Sequence, residues 1–438
     1  MRRRQLLRGT AGLAAFAAGR VLWAPGAAAE SRGLEAAPTG EAAPTGEAAP
    51  TGAGTSGHDA YFARLNEMLK RDGPGRPVML IDTQRMAHNV DALAASVGPD
   101  KTYRVVVKSL PSVPLLERVM QRAGTDALMV FHQPFLNAVA ERFPEADVLL
   151  GKPMPVAAAR TFYRKVDLQR YDASRHVQWL IDTPERLHQY QSLARELGVK
   201  MRINVEIDVG LHRGGLTEPA ALAAMLDVIR DDPQHLSFAG LMGYEPHLTG
   251  LEAELGHPAV QSVLAEYRGY LDAIRNAGIA LDGLTLNGAG SHTLRIYEKD
   301  RTMNDLSAGS GVVMPTDFDT YHLADHRPAV FIATPILKRY DGNPFMADPP
   351  PDMERLYYIY GGVTWKAKMA SPPEIGEPIY QSTNQSPITT SRAVDLAVDD
   401  YMFLRPTQSE FVMLQFGDLL AVTDGEIAER WPVFQQTG

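Results

Sequence analysis

Eight short apolar runs, each followed by an amphipathic stretch, are what most limit the folds open to this chain. They occupy residues 103–108, 127–132, 147–152, 177–182, 201–208, 238–244, 283–288 and 304–309. Short runs rich in Val, Ile, Leu and Met that alternate with helical spacing read as strand–helix units around a parallel sheet. The stretches between them, among them 112–123, 184–197, 220–230 and 260–277, repeat apolar residues three and four apart, the spacing of helices with one buried face. Eight such units predict an α/β fold: a closed (β/α)8 barrel of the TIM type with its site at the carboxyl ends of the strands. An open doubly wound sheet is the alternative, and the lack of a Gly-x-Gly-x-x-Gly turn after the first run counts against it.

Past residue 324 the pattern changes. Pro-rich turns at Asp348-Pro-Pro-Pro351 and Ser371-Pro-Pro373 separate short alternating segments with no long helix, which predicts a C-terminal all-β domain over 325–438. The unit count places the barrel domain at 76–324, with 61–75 leading in; the run 78–82 is strand-like too and is a candidate to join the second domain.

The first 60 residues read as something other than fold. Arg2, Arg3 and Arg4 precede Gln5, Leu6 and Leu7, and a weakly apolar Ala- and Gly-rich stretch then runs to Ala27, Ala28 and Ala29. A charged start, an apolar middle and an Ala-x-Ala site make residues 1–29 a secretory leader, and the arginines before two leucines resemble a twin-arginine export signal. The protein is therefore expected in the periplasm. Three copies of Glu-Ala-Ala-Pro-Thr-Gly begin at Glu35, Glu41 and Glu47; Pro and Gly in each copy break helices and no large apolar side chain asks for burial, so 30–60 reads as a solvated spacer.

Composition narrows the chemistry. With 438 residues and 45% hydrophobic content the chain has room for a barrel and a second domain. It has no cysteine, which excludes disulfides, thiolate metal sites and cysteine nucleophiles. The net charge of −9 is spread without long runs of one sign. No nucleic-acid partner and no stable membrane anchor is expected, so a small-molecule substrate is the default partner; the assembly, a homodimer among the options, is left open.

Lys108 ends the first barrel run, Tyr103-Arg-Val-Val-Val-Lys108. An amine at the carboxyl end of a barrel strand is either a snorkelling rim residue or a nucleophile whose charge desolvation opposes. Arg213 follows the fifth run in a Gly-flanked turn, suited to pairing with an anionic oxygen or to a plain ion pair with Asp208 or Glu206. Tyr244 ends the sixth and His247 stands three residues on: a ring contact or a core tyrosine, a proton carrier or a loop histidine. Gly288-Ala-Gly-Ser291 after the seventh run and Gly309-Ser310 after the eighth are turns whose small residues let backbone N–H groups approach a phosphate, the ligand barrels commonly hold there.

These blocks occur together in a known order. Arg76-Pro-Val-Met-Leu-Ile-Asp82, Asn89, the strand into Lys108, Asn204-Val-Glu-Ile-Asp-Val-Gly-Leu-His-Arg-Gly-Gly215, Gly240-Leu-Met-Gly-Tyr-Glu-Pro-His247, Asn287-Gly-Ala-Gly-Ser291 and Asp305-Leu-Ser-Ala-Gly-Ser310 resemble the alanine-racemase-like fold-type-III enzymes, in the branch of D-threonine aldolases and D-serine dehydratases. The resemblance implies pyridoxal 5′-phosphate on Lys108 as a Schiff base, with Arg213, Tyr244, Asn287, Gly288, Ala289, Gly290, Ser291, Gly309 and Ser310 as further cofactor contacts. It implies Lys108, Tyr244 and His247 as catalytic residues. The activity it implies is cleavage of Cα–Cβ in a β-hydroxy amino acid, with racemisation, dehydration or plain cofactor binding as alternatives; the small single-barrel pyridoxal-phosphate-binding proteins lack the second domain present here.

One block departs from the pattern. The branch places a metal-binding His-x-Cys or His-x-Asp pair a fixed interval before an Asp-Gly-Glu…Trp-Pro-Val ending, present here as Asp424-Gly-Glu426…Trp431-Pro-Val433; counting back lands on Gln408-Ser-Glu410. Gln is a poor ligand beside imidazole, so no tight transition metal is expected, and Gln408 and Glu410 are left as weak candidates for a hard Mg²⁺ or Mn²⁺.

Overall fold

The computed structural model describes residues 57–373 and 379–437; the leader and most of the spacer lie outside the described residues. Helix α1 (Ala60–Asp72) opens on Asp59, whose carboxylate accepts the Phe62 N–H and so satisfies one of the donors a first turn leaves unpaired. It leads to β1 (Val78–Asp82), buried at all five positions. Asp82 then caps α2 (Thr83–Val97) by accepting from the Gln84 and Arg85 amides.

From there strand and helix alternate: β2 (Thr102–Val106), α3 (Val113–Ala123), β3 (Ala127–Val130), α4 (Gln133–Arg142), β4 (Asp147–Leu150), α5 (Val156–Lys165), α6 (Ala173–His176), β5 (Val177–Ile181), α7 (Pro184–Leu197), β6 (Met201–Glu206), α8 (Pro219–Asp231), β7 (Leu236–Met242), α9 (Pro258–Asn276), β8 (Thr285–Gly288) and β9 (Asp305–Ala308). The eight strands β2 to β9 close into a barrel in sequence order, and parallel pairing of β2 with β9, Thr102 opposite Asp305, completes the ring. Prolines start α7, α8 and α9, where the missing N–H has no partner to lose. The expected barrel is thus the observed one. Its strands stop sooner than the apolar runs do: β2 ends at Val106, and Lys108 lies in a single 3-10 turn, Val107–Ser109, closed by the Leu110 N–H on the Val107 carbonyl.

The second domain is a mostly antiparallel sheet of β10 (Val330–Tyr340), β11 (Arg355–Tyr360), β12 (Ala367–Ser371), β13 (Gln385–Thr390), β14 (Tyr401–Pro406), β15 (Leu419–Thr423) and β16 (Glu426–Trp431), with β1 in its middle. β1 pairs antiparallel with β10 and parallel with β15. The alternation of a strand explains why it sits there. Met79 and Ile81 join the large core that also fills the barrel, while Val78 and Leu80 face Phe62, Leu65, Met68 and Leu69 of α1. The segment 61–75, drawn from sequence as a lead-in to the barrel, and the run 78–82, placed within the barrel bounds but offered as a candidate for the second domain, both go with the sheet: a run apolar on both faces needs a cover on each side, and a central strand between α1 and the barrel has one.

The segment after β14 reaches across the barrel mouth. Ser409 Oγ lies 2.9 Å from Ser310 Oγ, and Val412, Met413 and Phe416 are buried in the core shared with the barrel. The Phe434 amide donates to the Pro111 carbonyl just past the Lys108 turn. Both domains thus fix the carboxyl end of β2.

Candidate active site

The carboxyl ends of the barrel strands and the segment after β14 enclose a cavity of about 430 Å³, within the usual range for a small ligand. Ten of the residues singled out from sequence line it: Lys108, Arg213, Tyr244, Ala289, Gly290, Ser291, Gly309, Ser310, Gln408 and Glu410.

Lys108 Nζ lies 2.6 Å from Glu410 Oε1 and 4.6 Å from the centre of the Phe131 ring. Its side chain is 31% exposed, so the burial expected around this amine is partial, and a carboxylate contacts it directly. Ser109 Oγ donates to the same carboxylate oxygen at 3.3 Å.

Arg213 makes no ion pair among the described residues; its guanidinium lies 4.8 Å over the Tyr244 ring. The expected alternative, a pair with Asp208, is taken up locally: Asp208 accepts from the Gly210 and His212 amides and pairs with His212 Nδ1 at 2.7 Å. Glu206 faces Arg213 more loosely. Burial pushes its carboxyl up, with Asp182 and Asp208 adding to the rise and Arg213 opposing it. Burial also pushes the Tyr244 phenol up, so it stays neutral at physiological pH.

The two small-residue turns meet at the far wall. Ser291 Oγ accepts the amides of Gly309 and Gly311 at 3.1 and 3.0 Å, which ties the turns together and leaves its own hydroxyl proton to donate. Gly290 packs so closely on Tyr244 that a Cβ there would come within 2.9 Å of the ring. Among the described residues the amides of Ser291, His292 and Ser310 find no acceptor. Backbone donors in such a concave turn form an anion site.

Three expected contacts do not reach the cavity lining. Asn287 is 1% exposed and its Nδ2 donates to Asp305 Oδ1 at 2.5 Å and to Ser307 Oγ at 2.9 Å, making it a strut inside the barrel. A Cβ on Gly288 would lie 2.1 Å from Met303 Sδ, so that glycine serves packing. His247 lies in a 3-10 turn, Pro246–Leu248, that carries its ring out toward the loop after β6, against Gly210. Burial pushes its imidazole down, with Asp208 opposing and His212 reinforcing.

Sequence reasoning passed over Phe131, Thr249, His292 and Phe318, all of which line the cavity. His292 carried a usable signal, since it follows Ser291 directly and stacks on Phe318 at 4.2 Å between ring centres. Thr249 Oγ1 is buried without a partner, a donor and acceptor still to be used.

The metal candidates are committed elsewhere. Gln408 Nε2 donates to Asp317 Oδ2 at 2.8 Å, and Glu410 holds Lys108. Among the described residues no group of three or more His, Cys, Asp or Glu side chains is placed to hold a metal ion.

Comparison with known proteins gives the same direction. Residues 81–316 match the family described as alanine racemase, N-terminal domain, more than half of the chain. A D-threonine aldolase from Arthrobacter sp. is 25% identical over 269 residues, 58% of this chain and 65% of the relative, so the chain spans just under two thirds of that protein. In fold, the D-threonine aldolase from Filomicrobium marinum superposes with a TM-score of 0.66 at 14% identity over 82% of this chain and 97% of that one. An alanine racemase from Clostridium difficile 630 gives 0.62 at 15% identity over 81% and 98%. The chain belongs to the alanine racemase N-terminal domain family.

Proposed function

We propose that this protein is a pyridoxal-phosphate-dependent enzyme that cleaves the Cα–Cβ bond of a β-hydroxy amino acid. The observation that carries the reading is the placement of one reactive amine, Lys108, in the same cavity as two turns with unpaired amides. The residues fit the cofactor: an amine for its aldehyde, the Ser291, His292 and Ser310 amides with the Ser291 hydroxyl for its phosphate, and Arg213, a cation without an ion pair, for the ring's phenolate oxygen. Bound there, pyridoxal phosphate supplies a ring that accepts the electron pair released at Cα.

The chain's own residues supply the rest. Among the described residues Glu410 is the one carboxylate lining the cavity, and it touches the nitrogen that a substrate amine would replace. A group within hydrogen-bond reach of that nitrogen is also near an oxygen on the adjacent carbons, which supports Glu410 as the acceptor of the β-hydroxyl proton. Tyr244 and Phe131 form apolar walls of the site. The closeness of Lys108 and Glu410 equally suits proton return to Cα, which is why racemisation is the second reading.

Purified protein incubated with D- and L-β-hydroxy amino acids should give glycine and an aldehyde. Chelation should leave any racemase activity unchanged, and the aldolase rate should be weak without added Mn²⁺ or Mg²⁺, because replacing imidazole by Gln408 costs more than the roughly tenfold to hundredfold of an outer-shell change. Stoichiometric zinc whose removal abolishes activity, restored by zinc alone, would contradict this. Periplasmic export through the twin-arginine route is part of the same proposal: changing Arg3 and Arg4 to lysine should strand the precursor in the cytoplasm, and continued periplasmic accumulation would overturn that routing.

A further inference from the structure

Glu245 follows Tyr244 past the end of β7 and is 1% exposed. Its Oε1 accepts from Thr293 Oγ1 at 2.6 Å and its Oε2 from the Ala289 amide at 3.3 Å. Two features of the anion turn follow. The Ala289 N–H points inward to the carboxyl, and the Gly290 N–H goes to Thr293 Oγ1 at 3.0 Å, so the donors turned toward the cavity are those further along. Directly behind the turn lies a carboxyl with no cation near it among the described residues.

The groups facing Glu245 are phenols: Tyr244 beside it, Tyr267 from α9, and Tyr297 from the 3-10 turn Leu294–Tyr297. All three are pushed up by burial and stay neutral, Tyr267 and Tyr297 with Asp305 and Asp300 respectively as further acidic neighbours. Tyr297 Oη is buried without a partner. Among the described residues no lysine, arginine or histidine offsets a negative charge here. Burial pushes the carboxyl up to about 7, with the Thr293 and Ala289 hydrogen bonds pulling back.

We propose that Glu245 is a proton-coupled positioning residue of the phosphate turn: it shapes the turn through Ala289 and takes up a proton when phosphate enters in front of it. This rests on the reading that the turn holds a phosphate. Two negative charges separated only by one backbone turn repel strongly in a buried, low-dielectric site. With the free carboxyl titrating near 7 and the anion raising it further, affinity is insensitive to this group below that range. Above it, binding falls by up to about tenfold per pH unit, until the carboxyl ionises in the complex as well.

The test uses pyridoxine 5′-phosphate, whose alcohol cannot bond to Lys108, and calorimetry in two buffers of different ionisation enthalpy. At pH 8 the wild-type protein should take up close to one proton more than E245Q. Its affinity should drop about tenfold relative to E245Q between pH 7.5 and 8.5. T293V, which removes a hydrogen bond to the charged form, should move the drop to higher pH and supplies the comparison if E245Q does not fold. Equal proton uptake and equal pH slopes in wild type and variants would overturn the proposal. Absence of saturable binding at every pH would instead overturn the phosphate reading beneath it.

Discussion

Lys108→Ala is expected to lower turnover by more than about a thousandfold while leaving the protein folded. On the proposed reading the amine anchors the cofactor, and it lies against Glu410, so its removal takes away a covalent step rather than one contact among several. Stability should change little. The Lys108 and Glu410 side chains are 31% and 27% exposed, and such solvent-exposed pairs contribute about 1 kcal/mol or less. Lys108→Arg should be as inactive, because a guanidinium stays charged and cannot attack a carbonyl. Retention of turnover within about tenfold, with unchanged borohydride-reducible absorbance, would remove Lys108 from the mechanism.

Arg104→Ala is expected to cost stability instead, about 3–5 kcal/mol, read as a lowered denaturation midpoint. Arg104 on β2 is 1% exposed and crosses the amino-terminal end of the barrel interior. Its Nε and Nη2 donate to Asp305, its Nη2 also to Asp147 Oδ2 at 2.7 Å, and its Nη1 to the Leu128 and Asp147 carbonyls. Asp305 is 3% exposed, so alanine at 104 leaves it a buried charge with the Asn287 amide for company. Replacing Arg104 and Asp305 together by apolar residues should be less costly than Arg104→Ala alone, because the pair's desolvation is relieved with its attraction. A single-mutant loss under about 1 kcal/mol would show that water or relaxation compensates the charge. The network also sets an acid limit. Burial pushes Asp147 up, but Arg104 and Arg202 beside it hold its carboxyl below the ordinary 3.8. The stability it contributes is present above that value and is lost as the pH falls below it.

The barrel was legible because most strand positions are buried on both faces and read as short apolar runs, and because those runs keep their order around a closed ring. Strand ends were less so. Apolar residues continue for a residue or two past the last ladder hydrogen bond, which is how Lys108 came to be read on a strand and lies in a turn. The placement of β1 needed the structure: Val-Met-Leu-Ile suits either domain, and only the pairing with β10 and β15 decides.

For the site, residue type and order identified the elements that converge but not the direction each side chain takes. Asn287 and Ser291 stand four residues apart on one motif, yet the first points into the barrel network and the second into the cavity. His247 looked functional because it is a histidine near a strand end, whereas the residue between the two singled out, Glu245, is the one sealed behind the anion turn. Gln408 and Glu410 were found by counting from an ending, and the contact of Glu410 with Lys108 depends on a segment that crosses between domains.

The central claim is that Lys108 holds pyridoxal phosphate in this cavity. Borohydride reduction of the purified protein, followed by proteolysis and mass spectrometry, tests it most directly. The account predicts one phosphopyridoxyl group, on the peptide carrying Lys108. Label on Lys101, Lys152 or another lysine, or no label after incubation with excess pyridoxal phosphate, would contradict it.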